Sequence, residues 1–291
     1  MDFSKLLIAN RGEIAVRIIR AAEELGLPTA AVFSEDDAES PHASRADEAH
    51  GLVGRGVAAY LDLEQVVTIA KTAGCDAIHP GYGFLAERDA FARRCAEEGI
   101  AFVGPSTDTL ELLGNKSRAR ALALEQDVPV LPGSTGPVTA TEARQFLESL
   151  GDGAAVVIKA VLGGGGRGMR VVEHLDEIDE AHSRCQSESK AAFGDEAVYV
   201  EQLIPKARHI EVQVIGDGSG AVSHLGEREC SIQRRHQKLV EIAPSPRLSS
   251  HLRDAICAAA VRMAEAVSYR SLGTFEFLLD ATTEDRFVFI E

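Results

Sequence analysis

Apolar and polar positions alternate along this chain in two different textures. In the first, short apolar runs are separated by amphipathic stretches. Residues 3–9 (FSKLLIA) predict a buried strand, and 12–26 predict a helix in which Ile14, Ile18, Ala22 and Leu25 fall at helical spacing. Thr29–Phe33 predicts a second strand, 63–72 a second amphipathic helix and 76–78 a third strand. That strand runs into His79-Pro80-Gly81-Tyr82-Gly83-Phe84 and a helix over about 87–98, and 100–103 reads as a strand stopped by Gly104-Pro105. Strands alternating with helices predict a doubly wound parallel sheet.

Residues 112–126 then read as one helix, and the Pro- and Gly-rich stretch 129–137 as a boundary. A small unit follows, with helices over 141–150 and 175–190 and a strand over 197–201. Beyond it the second texture begins. Residues 209–215 and 221–225 alternate apolar and polar side chains, which predicts an antiparallel sheet with one wetter face. A helix over 250–268 and paired strands over 274–279 and 286–291, joined by a turn at 280–285, complete the pattern. The expected organisation is 1–113, 114–203 and 204–291, without internal repeats. The chain stops at Glu291 in what reads as mid-strand, so a C-terminally incomplete unit is expected.

The segment Val156–Arg170, VVIKAVLGGGGRGMR, interrupts this pattern with chemistry. A buried strand delivers Lys159 and then breaks into four glycines, Gly163–Gly166, followed by Arg167 and Gly168. Glycine lets backbone N–H groups approach a bound anion closely, and a nearby lysine adds a point charge suited to phosphate. This predicts a strand–loop–strand flap over nucleotide phosphates; a surface hairpin with no ligand is the alternative. Gly163, Gly165 and Gly168 satisfy GxGxxG, but the β-branched residues that follow exclude the helix a dinucleotide site requires. Gly114-Asn115-Lys116-Ser117 lacks the Gly-Lys adjacency of a Walker A loop, and no HRD or DFG is present for a protein kinase.

Composition narrows the class. The formal charge of −15 disfavours a nonspecific nucleic-acid binder. Apolar runs fall short of the ~18 residues that span a bilayer, and MDFSKLLIANRGE lacks the flanks of a signal peptide. Five scattered cysteines without a CxxC pair fit a reducing compartment, so a cytoplasmic protein without membrane contact is expected.

Three further features bear on chemistry. Tyr199–Ile204 is a strand entering a connector, where backbone groups can bond an adenine edge while Leu203 and Ile204 cover its faces, or simply a linker. Glu229–Lys238 packs three basic residues, a histidine and two glutamines into an acidic protein, which suits a small anion or forms a solvated basic loop. Glu276 and Glu291 each lie among strand-forming apolar residues. They either share a Mg²⁺ across neighbouring strands or face solvent.

The whole chain resembles the biotin carboxylase component of biotin-dependent carboxylases, of the acyl-CoA or pyruvate carboxylase type, in the ATP-grasp superfamily. The matches are ANRGEIAVRIIRAAEELG at Ala9–Gly26, HPGYGFLAE at His79–Glu87, KAVLGGGGRGM at Lys159–Met169, ERECSIQRRHQKLVEIAPSP at Glu227–Pro246 and GTFEF at Gly273–Phe277. The run SIQRRHQK separates it from other ATP-grasp ligases, and carbamoyl-phosphate synthetase lacks HPGYGFL followed by that run.

The resemblance implies a ligase that uses ATP, Mg²⁺ (or Mn²⁺) and bicarbonate to form carboxyphosphate and then carboxylates biotin. It implies an α/β fold in which a pre-ATP-grasp parallel domain precedes an α+β ATP-grasp unit with a glycine-rich lid. Lys116 and Lys159 would contact ATP phosphates, with Gly165 and Gly166 closing over them. Glu201, Gln202, Leu203 and Ile204 would hold adenine, and His209, Gln233 and His236 would line the ribose and phosphate side. Lys238 would serve bicarbonate, and Glu276 and Glu291 the metal. Implied partners are a biotin carboxyl carrier protein or domain carrying the biotin, a carboxyltransferase subunit and a second copy in a homodimer. Val161-Leu162 replaces the small residues usual before the glycines. The family's segment after Glu291, with its arginines and general-base glutamate, has no counterpart here. A noncatalytic ATP-binding remnant and another ATP-grasp ligase are the competing functions.

Overall fold

Every strand of the first sheet is parallel, because each connection between neighbours has room to cross over. In the computed structural model, which describes residues 3–162, 168–234, 237–282 and 286–291, the chain divides into two compact units, Met1–Glu111 and Leu112–Glu291. The first runs β1 (Leu6–Ile8), α1 (Gly12–Glu24), β2 (Thr29–Phe33), α2 (Pro41–Arg45), β3 (Glu48–Gly51), α3 (Gly56–Tyr60), α4 (Leu63–Thr72), β4 (Ala77–His79), α5 (Asp89–Glu97) and β5 (Ala101–Phe102). The sheet order is β3-β2-β1-β4-β5. Residues of β1 alternate between two cores: Leu6 and Ile8 join Ile18 and Ile19 of α1, whereas Leu7 joins Val66, Val67 and Phe91 on the opposite face. Burial on both faces is why these strands read as short continuous apolar runs.

The strand order turns at β1 and β4, where the chain leaves both C-terminal ends side by side. There Asn10, 3% exposed, donates through Nδ2 to the carbonyls of Pro80 at 2.6 Å and Tyr82 at 2.9 Å. A Cβ on Gly81, whose φ is +68°, would lie 2.7 Å from that same Nδ2. The HPGYGF motif therefore works first as a loop moulded around one buried amide.

Helix α6 (Thr107–Leu113) and α7 (Lys116–Glu125) occupy the stretch predicted as one helix. The break falls at Gly114-Asn115, where the Asn115 side chain accepts from the Arg118 amide and starts a new helix as its N-cap. The second unit continues with α8 (Ala140–Ser149), β6 (Val156–Ala160), β7 (Met169–Val172), α9 (Ile178–Phe193) and β8 (Val198–Gln202). Strands β6, β7 and β8 make an antiparallel sheet, order β7-β6-β8, covered by α8 and α9 through a core containing Val156, Ile158, Ile178 and Val200. The two strands expected to flank the glycines are thus present as β6 and β7, while the expected flap, Gly163–Gly166, lies outside the described residues.

Next come β9 (Ala207–Asp217), β10 (Val222–Arg234), β11 (Gln237–Ile242), α10 (Ser250–Ala266), β12 (Arg270–Asp280) and β13 (Phe287–Phe289). They form a five-stranded sheet, order β11-β10-β9-β12-β13, antiparallel throughout. Ile210, Val212, Val214, Phe275 and Phe277 face α10, and Ala119, Leu122 and Ala123 of α7 join the same core. The alternative of a solvated basic loop over Glu229–Lys238 gives way to the end of β10 and the start of β11. No helix among the described residues is long and apolar enough to cross a membrane.

Replacing Asn10 by Ala strands two carbonyls of the 80–82 loop, and the expected loss is about 1–3 kcal/mol. Urea unfolding of the N10A protein, followed by circular dichroism, checks it; an unchanged midpoint would remove Asn10 as the organiser of this loop.

Candidate functional site

The second unit brings its three candidate lysines onto carboxylates. Strands β6 and β8 pair Val157 with Glu201 and Lys159 with Tyr199, which sets Lys159 and Glu201 diagonally on one face. Glu201 is 2% exposed; its carboxylate accepts from Lys159 Nζ and from Arg120 Nη1 of α7, the latter at 3.1 Å. Lys116 begins α7, and its Nζ contacts Glu291 Oε1 at 2.9 Å. The same helix start is stitched to the chain entering the glycines: the Lys116 amide donates to the Val161 carbonyl at 3.3 Å, and Asn115 bridges to Leu162. Gly165 and Gly166, like His236, lie outside the described residues.

Gln202 ends β8 and Leu203 and Ile204 follow it, all three partly buried. The Gln202 amide donates to the Pro132 carbonyl and the Leu203 amide to that of Ala155, both at 2.8 Å. Those two amides are therefore taken up by the protein's own backbone, while Leu203 and Ile204 remain beside the strand that carries Glu201.

The third lysine lies on the five-stranded sheet. Register places Glu211 of β9 directly opposite Glu276 of β12, and like charges in that position repel. Lys238 resolves the conflict, bonding Glu211 and, at 2.7 Å, Glu276 Oε1. Arg228 Nε adds a 2.6 Å bond to Glu211 Oε1. His209 Nε2 stands 2.9 Å from Glu276 Oε2 but off the axis of a hydrogen bond. Gln233 Nε2 donates to His209 Nδ1 and to the Cys230 carbonyl, each at 2.8 Å. With a donor on Nδ1, the neutral ring carries its proton on Nε2, toward Glu276.

Burial alone would raise the Glu276 carboxyl, but His209 and Lys238 outweigh it and hold the pKa at about 2. Burial likewise works against the Lys238 ammonium, and the carboxylates of Glu276 and Glu211 more than reverse it, raising that pKa well above its usual value. The cluster is charged in both partners.

Glu276 and Glu291, the acids expected to share a cation, lie on adjacent chain segments. Antiparallel pairing of β12 and β13 makes them neighbours: the Glu276 amide donates to the Glu291 carbonyl at 2.6 Å, and the Ile290 amide to that of Glu276 at 2.9 Å. Both offer carboxylate oxygens, the donor a hard cation takes, and each carboxylate is met by an ammonium, from Lys238 or Lys116. His209, Glu211 and Glu276 also place one ligand atom each within 4.8 Å of one another. Glu276 is partly buried, whereas Glu291 is exposed, with 41% of its side chain accessible.

Glu211 and Arg120 carry no motif. Glu211 had one faint signal, an acid two residues from His209 inside the alternating run HIEVQV, so on the same face. Arg120 had none.

A helix-borne lysine, a glycine-rich sequence between two antiparallel strands and a sheet bearing acids on adjacent strands are the frame of the ATP-grasp class. Residues 115–291 match the model of the carbamoyl-phosphate synthase L chain ATP-binding domain, and residues 2–110 that of the biotin carboxylase N-terminal domain. The chain belongs to the biotin carboxylase family of ATP-grasp ligases. It is 54% identical over 294 residues to pyruvate carboxylase of Bacillus subtilis, covering 100% of this chain and 25% of that protein. The biotin carboxylase of Campylobacter jejuni, solved as a β,γ-ATP complex, superposes with a TM-score of 0.95 at 42% identity, over 100% of this chain and 65% of that one. A biotin carboxylase domain dimer of Hydrogenobacter thermophilus 2-oxoglutarate carboxylase, with MgADP, ADP and bicarbonate, gives 0.93 at 43% identity, over 100% and 64%. The chain thus spans about a quarter of the curated relative and two-thirds or less of the two solved chains.

Acid titration of the metal-free protein probes the cluster. A carboxyl whose folded pKa is depressed contributes stability above its unfolded pKa, 4.5, and loses it as pH falls toward about 2. That contribution is on the order of 3 kcal/mol at neutral pH. The E276Q protein is expected to show a flatter stability profile between pH 5 and about 2 than the wild type, by chemical denaturation. Parallel profiles would mean that Glu276 is not held as a low-pKa carboxylate.

Proposed function

We propose that this chain provides the nucleotide and bicarbonate chemistry of a biotin carboxylase within a pyruvate carboxylase-type enzyme. The observation that carries the reading is the set of three lysines, each oriented by a carboxylate within one unit. Preorganised ammonium groups stabilise charge that develops during phosphoryl transfer without having to reorganise at the moment of reaction. The relatives supply the ligands that such a site would accept, since the similar solved proteins hold ATP, MgADP or bicarbonate.

In this reading Lys159 and Lys116 bind the polyphosphate under the flap formed by Gly165 and Gly166. Glu201, Gln202, Leu203 and Ile204 flank adenine, with edge contacts left to groups other than the Gln202 and Leu203 amides. His209, Gln233 and His236 line the ribose and phosphate side, and Glu276 and Glu291 hold Mg²⁺. When bound, that ion neutralises phosphate charge. Lys238 orients bicarbonate. A bicarbonate oxygen attacks the γ-phosphorus, the bond to the β-phosphate oxygen breaks, and ADP leaves. Carboxyphosphate then gives its carboxyl group to N1 of biotin as phosphate departs and the N1 proton is lost to a base. Residues 114–203 act as the lid-bearing part and 204–291 as the acid-bearing sheet. The biotin arrives on a carrier protein or domain, a carboxyltransferase uses the product, and a second copy completes a homodimer.

The test is ADP release from MgATP with bicarbonate, with and without free biotin, alongside calorimetric binding of MgATP. The K238Q protein is expected to bind MgATP within about threefold of wild type while bicarbonate-dependent ADP release falls by at least ~100-fold. Loss of MgATP binding in K238Q would contradict the role given to Lys238. A wild-type chain that does not bind MgATP would overturn the reading as a whole.

A further inference from the structure

No motif points to Arg120, yet it lies at the back of the nucleotide lysines. Its guanidinium donates through Nη1 to Glu201 Oε2 at 3.1 Å and through Nη2 to the Leu131 carbonyl at 2.7 Å. Lys159 takes the other carboxylate oxygen, Oε1. The approach depends on a bare backbone: a Cβ on Gly133 would lie 2.9 Å from Arg120 Nη2 and 2.9 Å from the Val200 carbonyl. Gly133 belongs to a strap running beside β8, pinned by Gln202 N to Pro132 O and Ser134 N to Val200 O, both at 2.8 Å. Arg120 therefore joins α7, the helix that begins with Lys116, to the strand whose carboxylate holds Lys159.

We propose that Arg120 is a positioning residue for Lys159, acting through Glu201. This rests on the nucleotide reading above. A buried Glu201–Lys159 pair alone would be neutral, its ammonium drawn fully onto the carboxylate. With Arg120 on the second oxygen the carboxylate is shared and the cluster keeps one positive charge. That charge is directed outward through Lys159, whose side chain is 16% exposed against 9% for Arg120 and 2% for Glu201. An anionic ligand meets an ammonium that is fixed in place but not cancelled. A lysine at 120 would offer a single nitrogen, whereas the planar fork presents separate nitrogens to Glu201 and to the strap.

Calorimetry with MgATP and with adenosine, on the full chain and its R120M, R120K, K159M and R120M/K159M forms, tests this. R120M is expected to weaken MgATP binding by about 10- to 100-fold, the worth of one or two hydrogen bonds to a charged group, and to leave adenosine within about threefold. R120K falls between. In the double variant R120M adds nothing to K159M, because the lysine through which it acts is gone. If the two losses multiply, or if MgATP and adenosine weaken together, Arg120 serves the fold alone and the proposal is overturned. Should R120M not fold, R120K and G133A carry the same comparison, the second by crowding the guanidinium from its place. A wild-type chain that binds neither probe would instead overturn the nucleotide reading.

Discussion

A carboxylate removed from water must be given a cation or it will not stay ionised, and this requirement organises the second unit. Glu201, Glu211 and Glu229 are all less than a tenth exposed, and each is met by at least one arginine or lysine. Removing either partner of such a pair leaves a buried charge uncompensated, which is far costlier than losing an exposed ion pair. The cations are therefore fixed by the same interactions that allow the acids to be buried. Since the acids sit on strands, the ammonium groups inherit the rigidity of a sheet.

Strand register decides where those charges meet. Glu211 and Glu276 oppose each other across β9 and β12, an arrangement unfavourable by itself. Lys238 reaches them from β11, two strands from β9, and its own partner across the hairpin is Gln233. Between Glu229 and Gln233 the β10–β11 ladder shifts register; such irregularities bend a strand and re-aim its side chains. The described residues of the run that could be read as a basic loop belong to β10 and β11, which deliver one lysine to two acids and one glutamine to a histidine.

What the sequence made legible follows from how local each signal is. Alternation of period marked the antiparallel strands, and continuous apolar runs marked the parallel ones. The lysine of β6 and the two strands flanking the glycines announce themselves within a few consecutive residues. Strand β3 does not: Glu-Ala-His-Gly is an exposed polar edge with no apolar pattern, and only its pairing with β2 makes it a strand. The break between α6 and α7 hinges on a single capping side chain, Asn115. Arg120 is hidden for a different reason: it lies in no recognisable pattern, and its partner Glu201 is 81 residues away. Glu211 similarly becomes meaningful only once β9 is set between β10 and β12.

The same logic extends behind the acids to His209. Its main-chain N–H donates to Ser231 Oγ at 2.8 Å, and that hydroxyl in turn donates to Glu229. Burial would raise the Glu229 carboxyl, but Arg208, Ser231 and Ser245 together hold it below the usual range. Ser245, 1% exposed, also anchors its amide on Glu227, whose carboxylate is bonded by Arg253 of α10. His209 is thus constrained from both ends, its backbone through a charged chain reaching α10 and its ring through Gln233. A hydrogen-bonded chain of this kind is stiff only when every member is satisfied, because one open position exposes its neighbours to the desolvation penalty. The imidazole facing Glu276 is consequently held by Gln233 at its ring and by the Ser231–Glu229 chain at its backbone, and the geometry of the acid cluster is a property of the whole sheet and the helix packed on it.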